Sequence, residues 1–118
     1  ALKARYAGCA GIVVSHHHVR LPFAIAPLQI LPKIKEELKN SDMKIFVDCG
    51  MDTGYDAYKA LALGADAVSV GRGILPPLLK DGKEGVVKKM TRMNEELREM
   101  MMYTGVKDMN SFDRTVLH

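Results

Sequence analysis

Three short runs, Gly11-Ile12-Val13-Val14-Ser15, Lys44-Ile45-Phe46-Val47-Asp48 and Ala67-Val68-Ser69-Val70-Gly71, are apolar at nearly every position and rich in β-branched side chains. This pattern predicts strands buried on both faces. Between them the apolar spacing changes to that of helices. Leu28, Leu31, Ile34 and Leu38 recur after Pro27, and Tyr55, Tyr58, Leu61 and Ala62 recur after Thr53. Thr53 has the chemistry of a helix N-cap, and Gly64 is placed to end the second helix. Strand and helix alternate without hairpin turn signals, which predicts parallel strands joined by right-handed crossovers. The expected class is α/β.

Beyond the third run, residues 73–80 contain Pro76-Pro77, and Val86, Met90, Met93, Leu97 and Met101 then fall on one helical stripe. That stripe is expected to pack in the core, with methionine filling gaps rather than forming a binding surface. Lys88, Lys89, Glu95, Glu96, Arg98 and Glu99 are expected on its solvated face. A short closing helix is expected within 106–118, with Ser111 as its N-cap. At the other end, residues 1–8 read as the end of a helix already under way, as in a piece of a longer chain. Three parallel strands leave two unpaired edges and a small core, so pairing with further chain or with another copy is expected. A homo-oligomer fits that need.

Composition narrows the function classes. The 118 residues, 47% hydrophobic and 26% charged, suit a single domain spanning residues 1–118. No apolar run reaches the roughly 18 residues that span a bilayer. Lys3 and Arg5 precede no apolar stretch of signal-peptide type, so no membrane partner and a cytoplasmic setting are expected. The net charge of +3 is spread over segments that also carry acids, without interleaved aromatics, so nucleic acid is not an expected partner. Cys9 and Cys49 match no paired metal spacing and are expected as small buried thiols.

In parallel sheets and barrels, ligands gather where strands end, at their carboxyl termini. Here those ends are polar: 15–20, 48–54 and 71–73. Gly71-Arg72-Gly73 suits a phosphate, because glycine permits close backbone approach and arginine offers a guanidinium fork; an ordinary turn is the alternative. Asp48 could accept hydrogen bonds from a sugar-like hydroxyl or serve the start of the following helix. His16, His17 and His18 would alternate across an extended strand, so at most two could chelate together. No zinc spacing is present and no metal is expected; one histidine as a general base is the stronger reading.

The stretches Gly8-Cys-Ala-Gly-Ile-Val-Val-Ser-His-His17, Ile45-Phe-Val-Asp-Cys-Gly50 and Asp56-Ala-Tyr-Lys-Ala-Leu-Ala-Leu-Gly-Ala-Asp-Ala-Val-Ser-Val-Gly-Arg72 closely resemble the FMN-dependent 2-hydroxy acid oxidase and dehydrogenase family. The likeness runs over essentially the whole chain. It implies the carboxyl-terminal part of a TIM (β/α)8 barrel, about three β/α units holding strands six to eight and the closing helices. It also implies an FMN-dependent enzyme that oxidises a small, lactate-like 2-hydroxy acid to the 2-oxo acid, passing electrons to oxygen or another acceptor. The family's catalytic histidine falls on His17 and its substrate-binding arginine on Arg20. The aspartate that meets the flavin ribityl chain falls on Asp48, and the cofactor phosphate is expected against Gly50, Gly71 and Arg72.

Several positions depart from the family pattern. His16 stands in place of an asparagine, His18 and Val19 in place of two glycines, and Asp52 in place of a second phosphate-binding arginine. The isolated 118 residues are expected to be inactive. Two alternatives remain open: a catalytically inactive fragment that self-associates through exposed strand edges, and another FMN- or phosphate-binding barrel enzyme.

Overall fold

The computed structural model describes residues 1–17 and 22–117. A short helix α1 (Leu2–Tyr6) leads into strand β1 (Gly11–Val14), helix α2 (Pro27–Glu37), strand β2 (Lys44–Val47), helix α3 (Gly54–Ala62), strand β3 (Ala67–Val68) and a long helix α4 (Leu75–Thr104). A 3-10 turn at Arg72–Ile74 joins β3 to α4. Among the described residues the sheet has three strands in the order β1-β2-β3, both pairings parallel. The predicted alternation and α/β class therefore hold, and the sheet is open rather than closed into a barrel.

The expectation of strands buried on both faces does not hold in this chain. Ile45 and Val47 of β2 are buried in one cluster with Val14 of β1, Leu31 of α2 and Ala60 of α3. Both crossover helices thus cover the same face. On the other face Val13 and Phe46 are register partners, 60% and 40% exposed. That face is apolar because its residues come from the same uniformly apolar runs, and no described element covers it.

Helix α3 starts as its sequence dictates. Thr53 Oγ1 accepts the Asp56 N–H at 3.1 Å, and Asp56 Oδ2 accepts the Thr53 N–H at 3.0 Å, which completes a reciprocal capping box. It ends before Gly64, whose φ of +103° is open to glycine at little cost. The inner side of α3 faces the sheet, while Tyr58 and Ala62 pack with Val106 against Leu97, Met101 and Phe112.

Helix α4 differs from expectation in four ways. Its helical run already begins at Leu75, with Pro76 and Pro77 in the first turn, where their missing N–H groups leave no intrahelical bond unmade. It bends at Gly82 (φ 58°, ψ −141°). The apolar stripe is only partly core: Met93 is buried, but Met90 is 38% exposed, because α3 meets the helix farther along. Glu96, expected in solvent, is buried at 8% exposure against the start of α3. Among the described residues beyond Gly105 there is no closing α-helix. A single 3-10 turn, Arg114–Val116, is capped by Asp113 rather than Ser111, whose hydroxyl is taken by Asp108. The thiols also differ: Cys9 is exposed and Cys49 half-buried, and both are free. Each lies in a turn beyond the packed elements, so neither reaches the core.

Candidate active site

All three strands end on one cavity of about 600 Å³, whose lining includes His17, Asp48, Gly50, Asp52, Gly71 and Arg72. Five of the six residues singled out from the sequence meet there. The sixth, Arg20, lies outside the described residues, as does His18.

The parallel ladder sets the cavity floor. The Asp48 N–H reaches the Val14 carbonyl at 3.4 Å and the Ser69 N–H reaches the Val47 carbonyl at 2.8 Å, so the three strand ends stay level. Beyond them the backbone turns sharply. Strand β1 stops at Val14, Ser15 Oγ accepts the His17 N–H at 3.3 Å, and His17 takes a φ of 55°. The chain is therefore not extended at His17, as an alternation of imidazoles across a strand requires; the serine hydroxyl holds the His17 N–H, and His17 lines the cavity. After β2, Cys49 (φ 66°) and Gly50 (φ 83°) are consecutive left-handed residues. That conformation is cheap for glycine and strained for cysteine. Cys49 Sγ lies 3.5 Å from Ser15 Oγ, tying the first two strand ends together.

Gly50 and Gly71 form the cradle. A Cβ built on either one meets nothing within 4 Å, so both backbones open onto free space at the cavity rim. Arg72 follows with its guanidinium, and a ligand oxygen can approach amide and cation together. Gly73 is different: a Cβ there would lie 2.2 Å from Asp52 Oδ1, so the Asp52 carboxylate is seated against its bare Cα. This donor set fits FMN. A carboxylate suits ribityl hydroxyls, bare glycine backbone and a guanidinium suit a phosphate, and an imidazole stands at the first strand end. Asp52 places an acidic side chain against the phosphate-compatible turn.

The loop 48–54 is held from behind. Glu96 of α4 accepts the Gly54 N–H at 2.8 Å and the Arg92 Nε–H at 2.8 Å. The Gly54 N–H, with Arg92 second, holds the Glu96 carboxyl below its ordinary value of 4.5 against the opposing effect of burial. Lys89 Nζ donates to the Asp52 carbonyl. Sequence reasoning missed Glu96, Lys89, Cys49 and Ser69. Cys49 and Ser69 follow the strands directly and the strand-end rule could have flagged them; the α4 residues carried no local signal.

The sequence model of the FMN-dependent dehydrogenase family matches residues 1–118. Over 111 residues the chain is 39% identical to the L-lactate dehydrogenase of Vibrio cholerae serotype O1 and 37% identical to that of Yersinia pestis, covering 93% of this chain and 29% of each relative. Among solved structures it is similar to a mandelate oxidase variant with a monooxide FMN adduct (TM-score 0.89, 35% identity, 96% of this chain and 36% of that one). It is also similar to a flavocytochrome b2 variant with sulfite bound (TM-score 0.92, 32% identity, 98% of this chain and 31% of that one). The chain thus spans less than a third of the length of the curated relatives it matches. With the family match over all of its residues and its strand ends converging on one flavin-compatible cavity, the chain belongs to the FMN-dependent dehydrogenase family.

Proposed function

We propose that this chain is the carboxyl-terminal part of a (β/α)8 barrel that oxidises a small, lactate-like 2-hydroxy acid with FMN. The observation that supports this best is that His17, from the end of β1, and Arg72, from beyond β3, line one cavity with Asp48 between them in sheet order. The apolar open face around Val13 and Phe46 then becomes the interior of the closed barrel, filled by side chains of other strands.

Bound FMN supplies the two-electron acceptor. The chain's own residues bind, orient and move a proton. Gly50, Gly71 and Arg72 hold the phosphate, and Asp48 accepts hydrogen bonds from the ribityl chain. His17 takes the proton released as the 2-hydroxy acid becomes a 2-oxo acid, and Arg20 holds the substrate carboxylate through paired charge-assisted hydrogen bonds. Oxygen or another acceptor then takes the electrons.

The test uses the full-length protein. It is expected to purify with FMN or to take it up, and its flavin absorbance is expected to bleach anaerobically on addition of lactate or a related acid. Reconstitution with FMN and no bleaching by any 2-hydroxy acid overturns the reading. Failure to take up FMN, together with a chain that self-associates, favours instead an inactive piece whose copies pair through exposed strand edges; sedimentation of the 118-residue chain separates the two.

A further inference from the structure

We infer that Asp52 and Lys89 together set how strongly the cavity prefers a phosphorylated flavin tail over an unphosphorylated one, Asp52 opposing the phosphate and Lys89 offsetting that opposition. The inference rests on the flavin reading of the cavity and goes beyond it by naming two residues that reading does not use.

The charges lie close together. Asp52 lines the cavity with Gly71 and Arg72, and its Oδ1 sits against the Cα of Gly73. Only a glycine at 73 allows that approach, since any Cβ would collide with the carboxylate oxygen. Among the described residues Asp52 forms no ion pair, Arg72 included. The carboxylate therefore offsets the field of Arg72 at the same rim without consuming its donors.

The backbone of Asp52 is held on both sides, which keeps its side chain at this rim. The Asp52 N–H donates to Asp56 Oδ2 at 3.3 Å, within the capping box of α3, and the Asp52 carbonyl accepts from Lys89 Nζ. Lys89 thus anchors the same residue whose charge it opposes. Its ammonium has three N–H donors, of which the carbonyl takes one. A phosphate bound beside Arg72 meets that cation and the Asp52 carboxylate in the cavity lining, with the Lys89 ammonium acting through space from behind the Asp52 carbonyl, whereas riboflavin, with no phosphate, is indifferent to all three.

The experiment measures FMN and riboflavin affinity by flavin fluorescence at low ionic strength, using the full-length protein as wild type, D52N, K89M and the double variant. D52N is expected to tighten FMN about two- to fivefold, the range for exposed charges. K89M is expected to loosen it by a similar factor, and the double variant to return to within about twofold of wild type. Riboflavin affinity is expected to move by less than about twofold throughout, and raised salt to shrink every FMN difference. An FMN-to-riboflavin ratio unchanged in D52N overturns the inference. So does a K89M protein that loses both flavins equally, or a K89R protein that behaves as K89M, since each marks a structural role for Lys89. Wild-type protein that binds neither flavin overturns the flavin reading and the inference with it; FMN binding with a flat ratio overturns the inference alone.

Discussion

Glu96 accepts the backbone N–H of Gly54 at 2.8 Å, so the first turn of α3 is capped by a side chain that arrives from α4. Together with Thr53 and Asp56 it satisfies N–H groups that a helix start leaves without intrahelical partners. The same bond fixes the end of the 48–54 loop, and with it one wall of the cavity. Truncation to alanine leaves the Gly54 N–H buried without its acceptor. E96A is therefore expected to cost about 2 to 3 kcal/mol in urea unfolding of the protein, and E96Q, which keeps an acceptor, about 1 kcal/mol. The pH dependence follows from the lowered carboxyl pKa. Protons bind more readily to the unfolded chain, so the contribution is complete above about 4.5 and is lost as pH falls through the lower folded value. The stability difference between wild type and E96Q is expected to narrow below pH 4.5 and to be constant above it; a difference that widens in acid contradicts this account.

Gly54 is where the two helices touch. A Cβ there would lie 2.1 Å from the Met93 carbonyl oxygen and 2.5 Å from the Leu97 nitrogen, both backbone atoms of α4 that cannot rotate aside. G54A is expected to force the helices apart and cost about 3 kcal/mol. Because the crossing also holds the 48–54 loop through Glu96, FMN and riboflavin affinity should both fall. Thermal unfolding and flavin titration of one preparation check both effects.

Much of the fold was written locally. Uniformly apolar β-branched runs with helical spacing between them specify parallel strands whatever else the chain contains, and Thr53 with Gly64 bracket α3 through their own backbone chemistry. Charge on α4 was not readable in the same way. Glu96 and Glu95 are neighbours of equal composition, yet the approach of Gly54 from a distant segment buries one and leaves the other in water. For the same reason Met90, in phase with Met93, stays exposed: the stripe gives a direction but not how far the partner helix extends. The site followed a positional rule, since ligand groups collect where parallel strands end, and His17, Asp48 and Arg72 stand there. What the rule lacked was the backbone reversal at His17, which depends on a hydroxyl two residues earlier.

Arg72 is the cation that follows the open glycine cradle of the cavity. If it grips a phosphate, R72M removes a charge-assisted pair and is expected to weaken FMN binding about ten- to a hundredfold, with riboflavin affinity nearly unchanged. R72K keeps the charge but not the planar fork and is expected to fall between the two. Equal losses for both flavins would instead mean that the variant has disturbed the Gly71 turn.

His17 supplies the imidazole at the end of β1, held toward the cavity by the Ser15 hydroxyl. If it is the proton acceptor of the proposed reaction, it serves substrate oxidation and not the holding of the cofactor, so the two functions should separate on mutation. H17Q is expected to bind FMN within about threefold of wild type and to slow anaerobic flavin reduction by 2-hydroxy acid about a hundredfold or more. S15A leaves the imidazole in place but removes the acceptor for the His17 N–H, and a smaller loss of about three- to tenfold is expected, consistent with one uncharged hydrogen bond. Stopped-flow absorbance of the flavin band measures both variants. Equal flavin reduction rates in wild type and H17Q would remove His17 from the proton transfer and leave the base to be sought elsewhere in the cavity.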